Sequence, residues 1–226
     1  MTGRLSGQHL AGERRAGVAG FTILALMIAL SVVLLVTGGV SQVMQTASGS
    51  FKESARSADL QARSSRVLSR LIRELSVTGD GETSLTAQLP AGEAVTELEY
   101  QPSLGRDGGV ELWGERRRIE LVLGAGEQAN GLDDNGNGLV DERDLFLIER
   151  SGELDEVSVL LSRGIAELAE GELPNGQDDN GNGLIDEPGF SIVRDGETLT
   201  LRLTVERSLE GRVARRTTTR VLRLKN

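Results

Sequence analysis

Thirty consecutive residues, Phe21 to Ser50, carry no charged side chain, and this run limits the fold more than any other feature. Its first part, FTILALMIALSVVLLV over 21–36, is apolar all round. At about 1.5 Å of rise per residue, some 20 such residues in a helix cross a hydrocarbon core of about 30 Å. A core helix of a small soluble domain would show a polar face, and this one shows none. The run therefore predicts a membrane-spanning helix over 21–50. Arg14 and Arg15 precede it, which keeps the N-terminus cytoplasmic and exports the chain beyond the helix. A signal-peptidase cut at Thr46-Ala47-Ser48 would require an apolar region far longer than the usual ~7–15 residues, so the helix is expected to be retained.

Beyond the run the pattern becomes amphipathic. Leu60, Val67, Leu68, Leu71, Ile72 and Leu75 recur at helical spacing, and Lys52, Arg56, Arg63, Arg66, Arg70 and Arg73 lie around them. One helix is expected from Phe21 to about Val77, roughly 80 Å long. Gly38-Gly39 is its weak point, and Gly79 and Gly81 end it. The basic side chains read as a solvated face, paired in places with acids on neighbouring subunits.

Past Thr78 the periodicity switches to alternation. Ala94–Tyr100, Gly109–Trp113, Arg117–Leu123, Leu145–Glu149 and Val157–Ser162 read as strands. Leu199, Leu201, Leu203 and Val205 alternate after an Asp195-Gly196 turn, and a Glu210-Gly211 turn leads into Val213–Leu224. The expected fold class is α+β: a long N-terminal helix packed on a C-terminal antiparallel sheet. The domain plan is a basic leader over 1–20, the hydrophobic helix over 21–50, its amphipathic continuation over 51–78 and an exported β-rich domain over 79–226.

Charge is distributed along the same divisions. Residues 76–190 hold 26 acids and seven bases, whereas 191–226 hold nine bases and four acids. The whole chain carries −9, which argues against a general nucleic-acid binder. With no Cys, and a single His at position 9, thiolate chemistry and Cys-ligated metals are excluded, and the exported part has no imidazole. Composition thus argues against an enzyme.

The leader ends in Gly20, with Phe21-Thr22-Ile23-Leu24 and the apolar helix directly after it. This resembles the prepilin signal of type IV pilins and type II secretion pseudopilins. The resemblance implies that a prepilin peptidase cuts between Gly20 and Phe21, that the new amine of Phe21 is methylated, and that the helix anchors the subunit in the inner membrane. The exported domain would then be periplasmic until the subunit joins a pilus or pseudopilus, with other pilin or pseudopilin subunits as partners. Most members carry Glu as the fifth residue after the cut, and here it is Ala25. A carboxylate in lipid is costly unless paired, so its absence implies a minor, tip or priming subunit. Thr217–Asn226 resembles the closing strand of PilW-type minor pilins, and the two ends together cover about half of the chain.

An internal repeat carries the binding chemistry. Residues 130–142, NGLDDNGNGLVDE, and 175–187, NGQDDNGNGLIDE, differ at two positions. Asp133, Asn135 and Asn137 alternate, Gly138 comes next, and Asp141 and Asp144 complete the spacing of an EF-hand-type calcium loop over 133–144, with the Leu139 carbonyl as a further ligand. Asp178, Asn180, Asn182, the Leu184 carbonyl and Asp186 repeat this over 178–189. There Gly189 occupies the closing position, and Glu187 or another segment must complete the shell. Hard oxygens in this number suit Ca²⁺. Two structural ions are expected, with dissociation constants of about 10⁻⁴–10⁻³ M, ordering two long connections.

Two functions fit these features. One is a non-catalytic minor pilin or pseudopilin that helps initiate or cap a filament. The other is a membrane-tethered, calcium-dependent adhesin or hydrolase, for which no spacing of Asp, Glu, Ser, Lys or Tyr singles out a catalytic set.

Overall fold

The computed structural model describes residues 23–78, 89–209 and 211–224. The leader, the Gly20–Phe21 junction and the glycines at 79 and 81 lie outside the described residues. Helix α1 runs Ile23–Leu75 and passes through Gly38 and Gly39 without a break. The chain divides into two units, 1–51 and 52–226.

Among the described residues of the first unit the large apolar side chains are exposed, Leu24 at 68% and Leu34 at 64% among them. The hydroxyls of Ser31, Thr37, Thr46 and Ser50 each donate to the carbonyl four residues back. Those four hydroxyls are thereby satisfied within the helix itself, as a lipid environment requires. The helix is long and apolar enough to cross a membrane.

The second unit joins the rest of α1 to a sheet. Leu60, Val67, Leu68, Leu71 and Leu75 are buried in one cluster with residues of the strands. Those strands are β1 Ala94–Val95, β2 Leu98–Tyr100, β3 Ser103–Asp107, β4 Val110–Trp113, β5 Arg117–Leu123, β6 Arg143–Glu149, β7 Val157–Ile165, β8 Phe190–Asp195, β9 Thr198–Leu209 and β10 Arg212–Arg223. The helix is tied down at its polar flank too: Arg63 donates to the Arg163 carbonyl at 2.8 Å, and Arg216 donates to Ser57. The layout is α+β, as the patterning predicts.

Among the described residues the ten strands pair antiparallel, in the order β1-β8-β9-β7-β6-β5-β2, with β10 on β9 and β3–β4 as a separate ribbon. The stretch 94–100 is two strands rather than the single one expected. Ala94–Val95 pairs with β8 and Leu98–Tyr100 with β5, at opposite ends of the order. Two residues connect them, a span of at most about 10 Å. The sheet is therefore rolled until its two ends nearly meet. The alternation signal covers both pieces and cannot reveal that they pair with different neighbours.

Two strands escape the sequence reading. β3 is exposed and bulged at Gly105, and its hairpin turns on Gly108 and Gly109, both at positive φ, so β4 starts at Val110 instead of Gly109. β8 is a run buried at three successive residues, which shows no alternation. Beside β9, β8 and β7 lie end to end: β8 pairs with Thr198–Leu203, and Ile165 of β7 with Val205.

Candidate metal centre

Each repeat is a connection between strands, the first from β5 to β6 and the second from β7 to β8. Strands flank both loops, so neither sits in a helix–loop–helix frame. The two loops have one internal architecture. The Asp133 carboxylate accepts the N–H groups of Gly136, Asn137 and Gly138 at 2.7, 3.1 and 2.8 Å. Asp178 accepts those of Gly181, Asn182 and Gly183 at the same distances. Asn135 and Asn137 accept the N–H groups of Asn137 and Leu139, and Asn180 and Asn182 accept those of Asn182 and Leu184. A short polar side chain bonding the backbone just ahead is what winds such a loop tightly.

The backbone repeats as closely. Gly126, Gly131, Gly136 and Gly138 have positive φ, as do Gly171, Gly176, Gly181 and Gly183. Asp141 and Asp186 also do, at 50° and 46°, a conformation that Asp tolerates better than most residues. Their carboxylates accept the N–H pairs of Asn130 and Gly131, and of Asn175 and Gly176. Asp141 and Asp186 thus tie the start of each loop to its end.

The structure brings in Glu127, Glu142 and Glu172, which the EF-hand spacing passes over, beside Glu187, one of the groups expected to complete the second shell. Glu127 Oε1 accepts the Asn135 N–H at 3.0 Å, and Glu172 Oε1 accepts the Asn180 N–H at 3.2 Å. Glu142 Oε1 accepts the side-chain amides of Asn135 and Asn137, and Glu187 Oε1 accepts that of Asn182. Glu127 is 8% exposed, Glu142 3% and Glu172 4%. The Oε2 atoms of these three have no hydrogen-bond partner among the described residues. Glu187 differs, because Arg202 Nη1 stands 3.4 Å from its Oε2.

The signal for Glu127 and Glu172 was present in the sequence. The repeat runs further upstream, GEQANGLDDNGNGLVDE over 126–142 against GELPNGQDDNGNGLIDE over 171–187. A Cβ on Gly126 would meet Asn135 Cβ at 3.2 Å, and one on Gly171 would meet Asn180 Cβ at 3.1 Å. The close packing of each Glu-bearing turn on its loop explains why both positions are Gly.

Asp144 lies on β6, opposite Val122, with Arg163 Nε 3.8 Å away. Burial pushes its carboxyl up, against the pull of Arg163 and of the Gly164 N–H. It lines a cavity of about 500 Å³ together with Asn135, Asn137, Leu139, Glu142 and Glu206. Burial also pushes Glu206 up, opposed by Arg215 at 2.9 Å. Leu139 is buried and Leu184 half-buried. Among the described residues no group of three or more His, Cys, Asp or Glu is placed to hold one metal ion. An ion at either loop would take one or two carboxylates and complete its shell with neutral oxygens and water, a mixture suited to a hard cation.

Compared with known proteins, the chain matches no family model, no curated protein and no solved structure.

Proposed function

We propose that this chain is a non-catalytic, membrane-anchored assembly subunit, a minor pilin- or pseudopilin-like protein. It is cleaved between Gly20 and Phe21, and it helps initiate or cap a type IV pilus or a type II secretion pseudopilus. The observation that carries the reading is the division of labour along α1. Its first half has an exposed apolar surface with four hydroxyls bonded to the helix's own carbonyls, and its second half places one buried stripe in the core of a β domain. Such an element anchors in lipid, or packs against like helices, without disturbing the fold at its other end. Ala25 in place of an acidic residue favours a subunit that has no neighbouring amine to neutralise. Calcium at the two loops is structural in this reading: it orders connections within a region of strong negative charge.

The test is the N-terminus of the native protein from membranes or sheared filaments, read by mass spectrometry. A chain starting at methylated Phe21 supports the reading, whereas an intact Met1 or a cut near Ser48 removes it. The alternative, a tethered calcium-dependent adhesin or hydrolase, draws on the cavity beside the first loop. Its raised carboxyls at Asp144 and Glu206 face Arg163 and Arg215, pairings that account for them as structural groups.

A further inference from the structure

We infer that the first repeat takes up a calcium-type divalent cation at the buried glutamate pair Glu127 and Glu142, and that in the second repeat Arg202 supplies part of the same positive charge from within the protein. The inference rests on the reading of the loops as calcium-binding and changes which residues hold the ion.

Glu127 and Glu142 both grip Asn135. One carboxylate takes its backbone N–H and the other its side-chain amide. In each, Oε1 is occupied and Oε2 is buried without a partner among the described residues. A carboxyl oxygen withdrawn from water needs a compensating donor or cation, and here two such oxygens belong to groups fastened to one residue. Glu142 and both asparagines line the cavity of about 500 Å³, which gives an ion a way in. Only oxygens are on offer, which selects calcium over zinc or copper.

The second repeat is an internal control. Its loop has the same hydrogen-bond ladder, but Glu187 Oε2 meets Arg202 at 3.4 Å, and only Glu172 Oε2 remains without a partner among the described residues of that repeat. The charge that the first copy must draw from solvent is partly built into the second. The first copy is therefore the tighter site.

The experiment is calorimetric titration of the full chain in detergent with CaCl₂ alone, each variant's fold being checked by circular dichroism. Glu127→Gln and Glu142→Gln each weaken the tighter site by roughly tenfold or more, while Glu172→Gln and Glu187→Gln leave it unchanged. Arg202→Gln brings the weaker site close to the affinity of the first. If Glu142→Gln does not fold, Glu127→Gln carries the test, since the Glu127 carboxylate accepts one backbone N–H of the loop, that of Asn135, whereas Glu142 accepts two side-chain amides. Unchanged binding in the Glu127 and Glu142 variants, with loss in Asp133→Asn or Asp144→Asn, overturns the inference and leaves calcium binding itself standing. Absence of binding by the unaltered chain up to about 10 mM overturns both the inference and the structural role of calcium. Neither result bears on processing at Phe21.

Discussion

A Cβ on Gly189 would stand 2.0 Å from the carbonyl oxygen of Ala166. These two residues are the mouth of the second loop. Ala166 N–H donates to the Thr204 carbonyl at 3.1 Å, and Thr204 N–H donates to the Gly189 carbonyl at 2.6 Å. The loop thus leaves and re-enters the sheet at one residue of β9, between the end of β7 and the start of β8. The position at which EF-hand spacing would place a closing acid is occupied by a glycine that the backbone cannot do without.

Gly189→Ala therefore forces main chain against main chain, and we expect a loss of about 3 kcal/mol. For a chain of this size that lowers Tm by roughly 6–12 °C. Thermal melting monitored by circular dichroism reads it, and an unchanged Tm would show that the mouth relaxes freely.

Leu71 is fully buried and Leu34 is 64% exposed on the same helix. Leu71→Ala is expected to cost about 2–5 kcal/mol. Leu34→Ala should leave the melting of the β domain in detergent unchanged, within about 0.5 kcal/mol. Equal effects would mean that the two halves of α1 do not play separate parts.

Asp141 holds a left-handed backbone and accepts two N–H groups. Asp141→Ala leaves both donors unmet and puts Ala at positive φ, for an expected loss of about 2–3 kcal/mol. Asp186→Ala should cost less, because Asp186 is half-buried and water reaches its donors more readily. Urea unfolding of the two variants measures the difference, and a larger loss at Asp186 would refute the ranking.

Burial raises the Glu206 carboxyl above its ordinary value of 4.5, and Arg215 only partly offsets this. A carboxyl raised in the folded state binds its proton more tightly than in the unfolded chain. Its contribution to stability is complete below pH 4.5 and is lost as pH rises through the raised value. Glu206→Gln should remove this decline, so the curves of Tm against pH for the two proteins diverge across that window. Parallel curves would show that Glu206 does not titrate there.

Withdrawing calcium with a chelator should lower Tm. An ion at ten times its dissociation constant contributes about 1.4 kcal/mol, or roughly 3–6 °C. Magnesium at the same concentration should replace little of it, since it demands a stricter octahedral shell. No shift with either ion would speak against a structural role for calcium.

Local order was legible in the residues themselves. An uncharged run leading into a stripe at Leu60, Val67, Leu68, Leu71 and Leu75 dictates a helix whose two halves meet different surroundings, because side-chain period and polarity suffice to decide it. The duplicated Asp-Asp-Asn-Gly-Asn-Gly run dictates two wound loops, because each Asn or Asp bonds the backbone within a few residues of itself. Tertiary structure alone decided which strands meet: the link between Val95 and Leu98 joins the two ends of a rolled sheet, and Gly189 closes a loop on Ala166. It alone decided, too, that Glu187 has Arg202 beside it and that Glu142 Oε2 has no such partner among the described residues. Arg202 lies on β9, fifteen residues from Glu187, and is brought to it by the pairing of β9 with β8. Spacing along a chain cannot convey such a contact, because strand register sets it.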